Sequence, residues 1–435
     1  MSTDNQPRAP GRSAADGRPL AGGQPLADGQ PDGAASTAGP LHGLRILDMA
    51  TVVAAPFAAT LCADLGAEVT KLELPDGSDT LRHMPPIMGE HELFWKVTNR
   101  GKRGITLDVR KPEGRTLFLK MIADYDVLVE NFRTGTLDRW GLDLKTLHAH
   151  NPDLIVLRVT GFGQTGPYAG RPGFARIFEA MSGFAHLTGE AGRSPQHMNY
   201  PLGDVIAGLF GAFSIAAAVA DKHRRLPASP RGCEIDLAAT EALFRMLDPL
   251  AAEHQHMGMV RHRTGARATY SPLSNIFATG DGHWLTIVGT SGATFRRIFD
   301  AMDRPDLLED SRFATQASRL AHGDEVDRLV ADWCRSLPLH ELQARLTEHQ
   351  VPHSKVYTIV DAVDDPQFQA RGTIVQLPDP QLGSVAAPCV VPRFSNHQAA
   401  TPRSGPGVGE HNAEVYGELG LSAEELAALR ERGVI

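Results

Sequence analysis

From residue 44 onward, short apolar runs alternate with stretches in which apolar residues recur at helical spacing. The run Leu44-Arg-Ile-Leu-Asp-Met49 reads as a buried strand, Pro56 opens a helix with its body over 57–65, and Gly66 ends it. Residues 68–73, Glu-Val-Thr-Lys-Leu-Glu, read as a second strand, which makes 44–73 one βαβ unit. The alternation continues with a strand over 105–109, a helix over 112–124, and strands over 127–130 and 154–160. Strands separated by helices imply a parallel sheet covered on both faces, with ligands gathered at the carboxyl ends of the strands. A helix rich in small apolar residues comes next, over 205–220. The basic, proline-bearing stretch 222–231 then reads as a lobe boundary. Past it, strands over 274–279 and 283–288 flank Gly280-Asp-Gly282 as a hairpin. The tail ends in a helix with Ser422 and Glu425 as a capping box, and no internal repeat is visible.

A chain of 435 residues exceeds one ordinary domain, so at least two lobes are expected. Residues 1–40 are rich in Gly, Pro, Ala and Asp with almost nothing to bury, and they read as disordered. Hydrophobic residues at 42% and charged residues at 22% are ordinary globular values. A net charge of −8 argues against nucleic-acid and anionic-membrane partners. Cys62, Cys233, Cys334 and Cys389 lie far apart with no metal-ligand spacing, so no metal site and no disulfide scaffold is expected. Neither a signal-peptide core nor a long apolar run is present, and the expected setting is cytoplasmic.

The sheet raises the question of a dinucleotide, but the first strand–helix turn, Ala50-Thr-Val-Val-Ala-Ala-Pro56, lacks the GxGxxG glycines, so NAD is excluded. Three other segments fall at expected strand ends: 99–108 (NRGKRGITLD), 130–141 (ENFRTGTLDRWG) and 161–168 (GFGQTGPY). The first two bring Arg and Lys to a rim poor in other cations, which suits a phosphorylated ligand; surface ion pairs are the plainer alternative.

These segments resemble the class III CoA-transferases (the CaiB/BaiF type), which include formyl-CoA:oxalate and carnitine CoA-transferases and the related α-methylacyl-CoA racemases. The resemblance spans roughly 41–435. It rests on Ile46-Leu-Asp48 with Ala54-Ala-Pro56, Asp64-Leu-Gly-Ala67 with Lys71-Leu-Glu73, the NRGKRGITLD segment, Asp126 to Phe132, Gly161 to Tyr168 with Arg171-Pro-Gly173, and Gly409-Glu-His411. It implies an α/β fold: a Rossmann-like large domain built from both chain ends, a smaller inserted α+β domain, and two chains threaded as interlocked rings. The divisions expected are 41–225 for the large domain, 226–350 for the small one, and 351–435 as a segment returning to the first. The implied ligand is coenzyme A or acyl-CoA as substrate, with no tightly bound cofactor. Carried over position by position, Thr51, Val53 and Ala54 line the CoA, Leu107 and Arg110 lie near the adenine and its phosphates, and Asn131, Phe132 and Arg139 hold the pantetheine arm and pyrophosphate. Phe132 has core packing as its ordinary alternative.

The resemblance also implies an Asp nucleophile in an Arg-Pro-Gly-Tyr-Asp segment, which here reads Arg171-Pro-Gly-Phe-Ala175. A methyl group cannot attack a thioester, and Phe174 stands where racemases carry a catalytic His. Four residues on, Glu179 shares a helix face with Ala175 and leans back over it, so Glu179 is the candidate nucleophile or general base. A solvated helix face or an ion pair with Arg176 is its structural alternative. Asp204 matches an acid/base Asp of the racemases, against the plainer role of a helix cap. His186, His197 and Tyr200 are candidates for an acceptor pocket. The leading expectation is CoA transfer from an acyl-CoA, with succinyl-CoA as a candidate donor, to a carboxylic acid, by a homodimer. The alternatives are a silent CoA-binding subunit paired with an active paralogue, and an acyl-CoA racemase or lyase.

Overall fold

The computed structural model describes residues 38–224, 231–397 and 400–435. The reading of 1–40 as disordered therefore lies outside the described residues up to 37. Residues 38–41 are packed: His397 Nδ1 contacts Ala38 O at 2.7 Å and Leu41 N donates to Leu65 O at 2.9 Å.

The first βαβ unit is β1 (Arg45–Asp48), α1 (Ala54–Asp64) and β2 (Glu68–Glu73), followed by β3 (Lys102–Thr106). Strands β4 (Val127–Glu130) and β5 (Ile155–Thr160) come next, each reached by helical crossovers. The chain then forms α2 (Ala175–Ser182), the long α3 (Leu202–Arg224), β6 (Cys233–Ala238) and α4 (Ala239–Arg245). The six strands pair in the order β3-β2-β1-β4-β5-β6, and every pairing is parallel. The chain leaves β1 towards β2 and β3, then crosses back to build β4 to β6. The carboxyl ends of β1 and β4 thus flank the topological switch point, where open parallel sheets bind ligands.

Two sequence-based expectations do not hold. The strand placed over 105–109 runs over Lys102–Thr106, because Lys102 pairs with Val69 in register and is buried against an acid. The lobe boundary placed near 225 is too early. Past the basic stretch, β6 adds to the same sheet beside β5, and its alternating burial is that of an edge strand, so the sheet closes only at Ala238.

Helix α3 lies across α1 and the β5–β6 face. Gly208 and Gly211 permit the approach: a Cβ at Gly208 would sit 2.6 Å from Ala54 O, and one at Gly211 would sit 2.9 Å from Ala58 Cβ. Among the described residues α3 is the one helix long and apolar enough to cross a membrane. Here it packs on the sheet with Asp204 in its first turn. The opposite edge, β3, is covered by the chain end. Gly104 N donates to His411 Nδ1 at 3.0 Å, Thr106 N to Asn412 Oδ1 at 2.9 Å, and Asp108 N to Val434 O at 2.7 Å. A separate core, holding Leu285, Phe295, Phe299 and Phe313, belongs to a three-stranded antiparallel sheet and the helices packed on it. Its hairpin joins Ser274–Ala278 to Trp284–Val288.

Candidate active site

The loop from β1 into α1 occupies the switch point, and Asn131, just past β4, binds it directly. Its amide accepts from Thr51 N at 2.8 Å and donates to Thr51 O at 2.7 Å. Asn131 therefore meets this loop with its side chain committed to the loop backbone. Val53 and Ala54 begin α1 and are buried. Val53 joins Leu81 and Trp95 in a small apolar cluster against which Val52, Phe94 and Val205 pack.

The remaining candidates are dispersed over two neighbouring segments. Leu107 is fully buried in the core under β3. Arg110 grips Asp108 with two hydrogen bonds of 2.7 and 3.0 Å while half exposed, which is the plainer surface ion pair. Phe132 packs edge-on to Trp140 at 4.9 Å, and the exposed Arg139 donates to Thr136 Oγ1 at 2.8 Å.

Beneath the loop lies a charge network that sequence reasoning missed. Lys102 Nζ donates to Asp48 Oδ2 at 2.8 Å, Asn99 Oδ1 at 2.9 Å and Pro56 O at 2.8 Å. Lys71 Nζ donates to Ala50 O and lies 3.6 Å from Asp79 Oδ2. Both lysine side chains are wholly inaccessible. Burial pulls the Lys102 ammonium down to about 8 even though Asp48 opposes the shift. The available signal is Lys71 between Thr70 and Leu72 in EVTKLE and Lys102 opening KRGIT, with Asp48 ending the first strand.

The second part of the site joins α2 to the start of α3. Glu179 is buried on α2 and both its oxygens are engaged: Oε1 accepts from Gly203 N at 3.1 Å, and Oε2 meets His197 Nδ1 at 2.6 Å. Arg176 is not its partner; the Arg176 guanidinium turns towards Met198 O. Ala175 sits directly under this turn, since a Cβ on Gly203 would lie 2.9 Å from Ala175 O. Asp204 is the next residue. It is 8% exposed, and among the described residues no group donates a hydrogen bond to its carboxylate. It therefore caps nothing. Burial first, and the Glu179 charge second, push its pKa up to about 7. A carboxyl poised at neutral pH, with free oxygens, beside a fixed carboxylate is a pattern of reactive sites. Val205, its neighbour in α3, packs against the cluster of Val53, Leu81 and Trp95, so the first turn of α3 lies beside the switch-point loop. Tyr200 reaches the same edge through Phe94, with ring centres 6.2 Å apart, while His186 lies against His262 instead.

Known proteins share this architecture. The family model for CoA-transferase family III matches residues 41–412. Succinyl-CoA–D-citramalate CoA-transferase of Chloroflexus aurantiacus is 38% identical over 402 residues, covering 91% of this chain and 98% of that one. The beta subunit of succinyl-CoA–L-malate CoA-transferase from the same species is 40% identical, covering 93% of this chain and 100% of the subunit. A crystal structure of a CaiB/BaiF family protein from Brucella suis superposes with a TM-score of 0.77 at 33% identity, over 88% of this chain and 100% of that one.

Proposed function

The chain belongs to CoA-transferase family III, and from that premise we propose that it moves CoA from succinyl-CoA to a small dicarboxylic acid, with Asp204 as the carboxylate that carries the acyl group. One observation carries the assignment: of the two buried carboxylates at the site, Asp204 has free oxygens and Glu179 has none. The relatives named for citramalate and malate support the acceptor class.

An Asp204 oxygen attacks the thioester carbonyl carbon, the C–S bond breaks, and CoA thiolate leaves behind a mixed anhydride. The thiolate attacks the Asp204 carbonyl carbon, releasing the donor acid as carboxylate and leaving an Asp204–CoA thioester. The acceptor carboxylate attacks that thioester and expels CoA thiolate, which then takes the acceptor acyl group from the second anhydride and frees Asp204. One thioester is carried through the exchange from donor to acceptor, so it needs no ATP and no resident cofactor. Glu179, fixed by His197 and Gly203, holds the α2–α3 turn and adds to the effect of burial in raising the Asp204 proton affinity. The CoA lies along the switch-point loop at Thr51, Val53 and Ala54, with Arg139 and Arg110 on the path of its phosphates.

The assembly is an interlocked dimer. Phe174 just before α2, Ile177 and Met181 of α2, Leu209 and Phe213 of α3, and Phe244 of α4 are each more than half exposed where these helices pack together beside the site. Apolar area of that extent on neighbouring helices calls for a partner chain. The beta-subunit relative supports a companion chain as the second form of this partner. The large domain is built from 38–245 and the chain end, with the separate core as the small domain. The setting is cytoplasmic, in keeping with Cys62 and Cys334 standing as buried thiols.

The test is to incubate the purified chain with succinyl-CoA and a panel of acids and to separate the CoA esters. A new dicarboxylyl-CoA is expected with the chain alone. The absence of any new ester, alone and with a companion chain, overturns the proposal.

A further inference from the structure

Side chains bind every backbone polar group of the β1–α1 loop from Ala50 N to Val52 N. Ala50 N donates to Asp48 Oδ1 at 3.1 Å, and Ala50 O accepts from Lys71. Asn131 takes both polar groups of Thr51. Val52 N donates to Asp79 Oδ1 at 3.0 Å. So complete a set of restraints would be superfluous on a relaxed loop. Val52, however, sits at φ 65°, in the left-handed region. Among the described residues only Asp303 and Gln350 are other non-glycines with positive φ, and neither is β-branched. A β-branched side chain strongly disfavours that conformation, and such strain persists only where the surroundings over-determine it.

Asp79 is well placed to impose it. Its side chain is 2% exposed, and the equally buried Lys71 ammonium stands 3.6 Å from the second oxygen. Among the described residues that oxygen has no hydrogen-bond partner. The first oxygen accepts from both Val52 N and Leu81 N, each at 3.0 Å. Val52 packs on the same small cluster as Val205, whose chain neighbour is Asp204.

We propose that Asp79, charge-balanced by Lys71, is a positioning residue for CoA transfer: it clamps Val52 in the left-handed conformation and so fixes the loop against the turn that carries Asp204. The inference rests on the transferase reading above. The loop is where the CoA lies, and a thioester displaced by about an ångström from its nucleophile loses on the order of a hundredfold in rate. Asp79 does not touch the reacting atoms and acts through the loop.

A structural alternative gives Asp79 only the job of capping the short turn Thr80–His83 through Leu81 N. Glycine separates the two, because it adopts positive φ without force and needs no clamp. CoA-ester exchange is measured for wild type, Asp79→Ala, Val52→Gly and the double variant. Asp79→Ala is expected to lose roughly 10- to 100-fold in kcat with little change in the acceptor KM. In the Val52→Gly background, the same Asp79→Ala change is expected to cost less than about threefold. Leu81 N loses its acceptor in either background, so a capping role leaves the double variant as impaired as Asp79→Ala. That result, or an Asp79→Ala enzyme with wild-type kcat, overturns the clamp. If Asp79→Ala does not fold, Asp79→Leu, which fills the space without an acceptor, carries the same comparison. A wild-type chain that exchanges no CoA, alone or with a companion, overturns the transferase reading and this inference together. Wild-type exchange with an unrescued double variant overturns the clamp alone.

Discussion

The protein buries charge in two neighbouring places, and it treats them in opposite ways. Under the β1–α1 loop, Lys71 and Lys102 face Asp48 and Asp79, so each ammonium has a carboxylate within 4 Å. At the α2–α3 turn, Glu179 and Asp204 are brought together with no Lys or Arg among the described residues paired to either; His197 serves Glu179. Both arrangements carry a desolvation cost. The first offsets it through ion pairs and a fixed loop. The second leaves part of it uncompensated, stored as a carboxyl that holds its proton near neutrality. On the proposed mechanism, paired charge belongs to the part that positions and unpaired charge to the part that reacts.

Deleting the reactive charge should have the largest effect. Asp204→Asn keeps the shape and removes the nucleophile, and CoA exchange should fall by at least about 10³-fold in a steady-state assay. The same change should stabilise the fold. Folding raises the Asp204 pKa to about 7, so the folded state binds this proton more tightly than the unfolded chain does. The penalty is absent at low pH, grows between about pH 4 and pH 7, and stays constant above, on the order of 4 kcal/mol at most. Urea unfolding at pH 8 should therefore show Asp204→Asn more stable than wild type, with the gain vanishing near pH 4. Equal stability at pH 8 would break the contrast between the two regions.

Lys102→Met tests the other side. It leaves Asp48 buried with weakened compensation, and stability should drop by about 3–5 kcal/mol in the same unfolding experiment. Next in size, Glu179→Gln should lower kcat by roughly 10- to 100-fold, since it loosens the turn without removing the nucleophile. It should also move the pH profile. Asp204 must be ionised to attack, so wild-type rate should rise with pH through about 7. Without the Glu179 charge the midpoint should shift to lower pH. Smallest of all, Arg110→Ala removes a half-exposed ion pair, and the KM for succinyl-CoA should rise less than about fivefold with stability almost unchanged.

Much of the frame was legible in the sequence, because buried parallel strands read as apolar runs and Pro56 and Gly66 punctuate the first helix. The family motifs drew attention to the β1–α1 loop, which lies at the carboxyl end of the sheet. The errors share a physical cause. Lys102 and the basic stretch before β6 both look like surface. Only the fold supplies Asp48 to neutralise the lysine, and only the fold offers β5 as the neighbour on which β6 pairs. The site was half visible. Glu179 was singled out because it lies one turn beyond Ala175, and its place beneath that turn agrees with the helical argument. What sequence spacing does not carry is the engagement of its oxygens by His197, 18 residues away, and by the Gly203 amide, 24 residues away. Those two bonds leave Asp204, and not Glu179, as the buried carboxylate with free oxygens.

The most direct test is to identify which carboxylate bears the acyl-CoA-derived adduct. The chain is incubated with succinyl-CoA, trapped with hydroxylamine and digested, and the modified residue is located by mass spectrometry. The hydroxamate is expected on Asp204, with none on Glu179. A hydroxamate on Glu179 with Asp204 unmodified would contradict the assignment of Asp204 as the reacting group.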